Sequence, residues 1–274
     1  MLRTLSDLQD CAIDATDGPI GHVKDIYFDD HAWAIRYLVV HTGAWLAGRT
    51  VLISPISIGV PDWDERLLPV SITKDQVRNS PDIDTDKPVS RQHEERYFGY
   101  YGYPYYWGGL GMWGEGYYPS MLMTGVGDGG SDADVRRAEA EPSRDDRAAG
   151  VHAHADPHLR SCKAIMGYHI EATDGDIGQV KGLLVDEETW AVRYMIVDTS
   201  SWWFGHQVLI APQWIKSLRW DERTVSVALS REAVKDSPRY DPATLPDRLA
   251  EASLYAHYGR VGYWPTERHR STTR

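Results

Sequence analysis

Four groups of side chains in this 274-residue sequence are of types that could do chemistry. His22, His31 and His41 could act as general bases or metal ligands, since imidazole changes charge near neutral pH. Comparing the chain with itself at a shift of 157 residues places Gln179, Glu188 and Asp198 opposite them, so no histidine role is common to both copies. They read as surface or turn histidines. Asp17, Asp29, Asp174 and Asp186 do recur at that shift and could supply oxygen ligands to calcium, but the alternating acids ending in Glu of a calcium loop are missing. Carboxylates that cap turns account for them. His152, His154 and His158 form a His-Ala-His-x-x-x-His run that could catch a transition metal if ordered. Without a Cys or an acid fixed nearby, the run reads as a solvated cluster, and neither a metal nor a cofactor is expected. Arg36 and Arg193 lie in apolar strands; they could bind an anion, but a buried arginine must be paired, and a recurrent acid such as Asp64 or Asp221 would serve.

Aromatic usage points to binding instead of catalysis. There are 11 Trp and 16 Tyr against 3 Phe, and rings with a polar handle suit places where one end stays wet. Ser201-Trp202-Trp203-Phe204-Gly205 puts three large rings in a turn, and the matching Ala44-Trp45-Leu46-Ala47 is milder. Such rings pack on another part of the chain or on a partner. The candidate partner-binding residues are therefore Trp45, Trp202, Trp203 and Phe204, with Tyr101 and Tyr258 at matching positions in two aromatic tails. Phe98 to Gly127 carries one charge, Glu115. Pro104 and the many glycines deny it a helix that could satisfy its backbone in lipid, so packing on the folded body is expected.

The elements that must position these residues come in two copies. From Ala12 to Asp84 the shift gives 32 identities in 73 positions, including Ala15-Thr16-Asp17-Gly18 with Ala172-Thr173-Asp174-Gly175 and Trp63-Asp64-Glu65-Arg66 with Trp220-Asp221-Glu222-Arg223. Within each copy, short segments rich in Val, Ile, Tyr and Trp are broken by Asp-Gly, Gly and Pro every eight to twelve residues, which is an all-β pattern. Ile35 to Val40 reads as a buried strand, Pro55 and Pro212 end strands, and short helices are expected at Thr73 to Asn79 and Ser230 to Asp236. The fold expected is all-β: two tandem small antiparallel β-barrels, each with a short C-terminal helix and an aromatic tail, in a pseudo-two-fold arrangement. The domains are residues 1–107, a Gly/Pro/charged linker at 108–160, and residues 161–274.

Composition narrows the function classes. With 42% hydrophobic and 25% charged residues the chain is neither disordered nor collagen-like, and a net charge of -11 argues against direct nucleic-acid contact. Two cysteines, Cys11 and Cys162, are too few for a disulfide framework, which implies a reducing, cytoplasmic setting. No stretch of about 20 apolar residues offers a transmembrane segment.

The order Asp-Gly-x-Ile-Gly-x-Val-Lys, Trp-Ala-x-Arg-Tyr-x-x-Val, Gly-x-x-Val-Leu-Ile-x-Pro and a closing Ser-Pro-x-x-Asp resembles the PRC-barrel family, at about Leu5 to Pro88 and again at Cys162 to Leu245. That family takes its name from the barrel of the photosynthetic reaction centre H subunit and includes the C-terminal barrel of the ribosome maturation factor RimM. The resemblance implies a docking module without its own chemistry, hence a noncatalytic adaptor or scaffold for a protein partner, with self-association left open by the duplication. The alternatives it carries are a peripheral role at photosynthetic or other membrane electron-transfer complexes, and a RimM-like role on a basic ribosomal protein. A hydrolase or metal-binding protein is a further alternative, which would need a pocket common to both barrels.

Overall fold

The computed structural model describes residues 1–82, 89–107, 109, 111–114, 116–120, 158–199 and 206–264. In the first copy β1 (Leu2–Thr4) and α1 (Leu5–Leu8) lead into β2 (Ala12–Ala15), β3 (Gly18–Asp29), β4 (Ala34–His41), β5 (Thr50–Ile53) and β6 (Leu67–Pro69). These last five lie in the order β5-β4-β3-β2-β6. Local chemistry explains the joints. Gly18 turns β2 into β3 with φ +119°, which its lack of a Cβ permits. Asp29 Oδ1 accepts from the His31 and Ala32 amides at 2.9 and 3.0 Å and so closes the β3–β4 turn. Every residue of β4 from Ala34 to Val40 is buried, as its unbroken apolar run implies.

α2 (Lys74–Arg78) is capped by Thr73 and by Asp17, whose Oδ1 accepts from Lys74 N at 2.7 Å. The second copy repeats this plan with β8 (His169–Ala172), β9 (Gly175–Asp186), β10 (Val192–Asp198), β11 (Gln207–Ile210), β12 (Ile215–Arg219), β13 (Thr224–Val227) and α4 (Arg231–Lys235), preceded by β7 (Leu159–Ser161). The sheet order there is β11-β10-β9-β8-β13-β12. Asp174 caps α4 as Asp17 caps α2, accepting from Arg231 N at 2.7 Å. Both short helices fall where the Ser/Thr caps place them.

The architecture is all-β, but the sheets are not purely antiparallel: β2 pairs β6 and β8 pairs β13 in parallel. In the first copy parity is the reason. Three reversals from β2 through β5 and a fourth between β5 and β6 bring β6 back in the direction of β2, beside which it lies. Sequence reading also missed a longer helix in each copy, α3 (Arg91–Tyr101) and α5 (Arg248–His257), capped by Ser90 and Asp247. Their aromatic crowding hides the period of three and four that places Glu94, Tyr97 and Phe98 on one buried face. Among the described residues, no helix is long and apolar enough to cross a membrane.

Two compact units emerge, and their boundaries cross the repeat. Residues 3–166 with 184–193 form one; residues 1–2, 167–183 and 194–274 form the other. Within the first, Ile35 N donates to Trp190 O at 2.8 Å and Val192 N to Trp33 O at 2.7 Å, about the Ala34–Ala191 bridge. The shift of 157 maps this pairing onto itself, as an isologous contact requires. β7 of the second copy also pairs antiparallel with β3 of the first, Phe28 opposite Arg160.

Close backbone approach fixes Gly178, which has φ +132° and whose added Cβ would lie 2.0 Å from Asp198 O. Gly178→Ala is expected to lower stability by about 2–4 kcal/mol, combining left-handed strain with overpacking. A urea unfolding curve measures it, and a loss below about 0.5 kcal/mol would show that β9 and β10 separate without cost.

Candidate functional site

The most elaborate polar constellation is a buried carboxylate that recurs in each copy. α3 carries Glu94, fully buried, into contact with the barrel. Its Oε1 accepts from the Tyr37 hydroxyl of β4 at 2.9 Å and from the Tyr106 hydroxyl of the following tail at 2.5 Å. Arg91, one helical turn earlier, approaches Oε2 at 3.2 Å and lies over the Trp107 ring at 4.4 Å. In the second copy α5 carries Glu251, whose Oε1 accepts from Tyr194 and Tyr263 at 2.8 Å each, with Arg248 at 2.9 Å from Oε2 and 4.7 Å over Trp264. Strand, helix and tail are thus clasped at one carboxylate in each unit. Burial, then the neighbouring Glu94 charge, pushes the Tyr37 and Tyr106 hydroxyls well above their ordinary value. Neither glutamate was singled out from sequence. Extending the self-comparison past Asp84 aligns Arg91-x-x-Glu94 with Arg248-x-x-Glu251, and that was the available signal.

A second constellation surrounds Arg36, which is 2% exposed. Its partner is Asp29 at 3.2 Å, across the β3–β4 hairpin, and not the Asp64 suggested by recurrence; Arg193 likewise pairs with Asp186 at 2.8 Å and not with Asp221. Strand register decides this, because each arginine faces the acid that closes its own hairpin turn. Burial alone would raise the Asp29 carboxyl, but the Arg36 charge and the turn amides hold it below its ordinary value; in Asp186 the Arg193 hydrogen bond and charge do the same. Arg36 also donates to Met112 O at 2.7 Å and lies over the Tyr106 and Trp113 rings at 3.9 and 4.8 Å. Trp113, inside the stretch read as linker, is fully buried and donates to Thr189 O at 2.8 Å.

The other sequence candidates scatter. Trp45 is half-buried, donates to Ile20 O, and has Lys74 Nζ at 4.6 Å from its ring. Tyr101 stacks on Tyr103 at 5.3 Å, and Tyr258 packs on Trp214 at 4.8 Å, with burial pushing its hydroxyl up to about 12. Both are half-buried in aromatic clusters of their own chain. Trp202, Trp203 and Phe204 lie outside the described residues, as do His152 and His154. His22, His31 and His41 are exposed, and Asp17, Asp29, Asp174 and Asp186 each cap a turn or a helix. Among the described residues, the large aromatics that reach the surface are Tyr100, Tyr105, Tyr117 and Tyr118, with Tyr117 67% exposed.

Comparison with known proteins fits this geometry. No curated protein matches the chain. A family model does match the first copy, over the β-strands and the Thr73-capped helix described above. Residues 3–77 of this chain match the model of the PRC-barrel domain.

Proposed function

We propose that the protein is a noncatalytic adaptor or scaffold that binds a protein partner through aromatic surface. The carrying observation is the division of labour among its aromatic residues. One set is spent inside the clasps, around Glu94 and Glu251. Another is displayed along the tail after α3, where Tyr105 stacks on Trp107 at 4.6 Å and Tyr117 stands exposed. An amphipathic ring held rigid from beneath contacts a partner with little loss of side-chain entropy, which is the usual character of interface anchors. Titratable groups that a hydrolytic reading would use are engaged by structural partners: Glu94 Oε1 accepts from Tyr37 and Tyr106 while Oε2 faces Arg91 at 3.2 Å, and Asp29 holds Arg36 and two amides. The PRC-barrel match at 3–77 supports the same reading, because it belongs to a family of protein-interaction modules.

Affinity capture followed by cross-linking mass spectrometry tests this with two surface variants, Tyr105→Ser plus Tyr117→Ser, and Trp202→Ala plus Trp203→Ala. A specific partner cross-linked to the aromatic tail in the wild type should fall about tenfold or more in at least one variant that melts normally. Retention of every cross-linked partner by both folded variants would remove the aromatic surface from consideration.

A further inference from the structure

His31 and His158, distant in sequence, stand side by side with ring centroids 5.9 Å apart and planes inclined at 61°. Both are fixed by backbone. His31 N donates to Asp29 Oδ1 at 2.9 Å, and His158 O accepts from Asp30 N at 2.8 Å just before β7 pairs with β3. The His158 ring is also oriented, since its Nδ1 lies 3.0 Å from Asp30 Oδ1. A carboxylate only accepts, so Nδ1 carries the proton and Nε2 becomes the ligating nitrogen. A carboxylate behind an imidazole in this way is the usual support of a metal-binding histidine. Two imidazoles at neighbouring positions of one ion, with metal–nitrogen distances of about 2.0–2.1 Å, bring ring centroids to roughly 4.5–5 Å, about 1 Å closer than the separation seen.

The second copy separates what the fold needs from what has been added. Arg160 lies 3.5 Å from Asp30 Oδ2, and the corresponding Arg3 lies 2.9 Å from Glu187 Oε2. That acid–arginine pair is common to both copies. The histidines are not: Glu188 and Met1 occupy their places. The fold therefore forms this corner without histidine, and the pair is an addition to it. Among the described residues no three His, Cys, Asp or Glu side chains gather to hold a metal, so the pair would supply two ligands and water the others.

We propose that His31 and His158 bind a borderline divalent transition ion, with Cu2+ the tightest of the series. Titrating the full chain with Cu2+, followed by electron paramagnetic resonance, should show one site with two nitrogen ligands. His31→Gln should weaken it by at least about tenfold, as should His158→Gln, while His152→Gln plus His154→Gln should leave the dependence on His31 intact. His31 is exposed, so its variant should fold, and melting checks this. Unchanged Cu2+ affinity and nitrogen count in folded His31→Gln would overturn the proposal, as would absence of Cu2+ binding by the wild type.

Discussion

Glu94→Ala is expected to lower the stability of the unit containing residues 3–166 by about 2–4 kcal/mol, because it strips the acceptor from two buried hydroxyls at once and the counter-charge from the partly exposed Arg91. Arg91, Tyr37 and Tyr106 all converge on this carboxylate. Glu94→Gln should cost less, about 1–3 kcal/mol, since its amide oxygen still accepts while the charge is lost. Glu95 is exposed on the same helix, so Glu95→Ala should change stability by no more than about 0.5 kcal/mol. Urea unfolding of the three variants decides the matter, and equal losses at 94 and 95 would refute the clasp. The same geometry sets an alkaline limit. Tyr37 and Tyr106 have folded values raised above the ordinary 10, so their contribution is intact below about pH 10 and is lost as the pH rises beyond it, where the unfolded chain releases those protons first. Unfolding midpoints should fall steeply above about pH 10 in the wild type, and less steeply in Tyr106→Phe.

Removal of Arg36 is the second large effect. Arg36→Ala leaves Asp29 without its cation and the Met112 carbonyl without its donor, and withdraws the surface on which Tyr106 and Trp113 rest. A loss of about 3–5 kcal/mol is expected, with Trp113 emission shifting to the red as the segment around it loosens. Arg36→Lys should not restore stability, because an ammonium cannot bond Asp29 and Met112 O while lying flat on two rings. Arg193, 15% exposed at its side chain, is the internal control; its replacement by alanine should cost less than half as much. Equal effects at 36 and 193 would place the energy in the hairpin ion pairs alone. The acid limb follows from the same pairs: Asp29 and Asp186 are held below the ordinary carboxyl value, so their contribution is present above about pH 4 and fades as the pH falls through their folded values.

Much of this was legible in the chain because it is local. Asp-Gly turns, the Thr73 and Ser230 caps, strand-ending Pro55 and the buried run of β4 each depend on residues within a few positions of one another, whose conformational preferences act before any tertiary contact exists. The binary choice for Arg36, structural ion pair against anion site, could also be read, since burial of a guanidinium demands a carboxylate. Which carboxylate could not, because that depends on strand register, and Asp29 and Asp64 recur equally well.

By itself the sequence determined a duplicated all-β chain with acidic turn caps, a surplus of Tyr and Trp, and a PRC-barrel pattern of residues. Tertiary structure decided what those residues do. It sent Tyr37 and Tyr106 inward to Glu94 and left Tyr105 and Tyr117 outside; it also set His158 beside His31. The physical reason is the range of the interactions. Turn and cap preferences are fixed by neighbouring backbone, whereas burial of a carboxylate or the meeting of two imidazoles exists only once distant strands have paired and removed water between them.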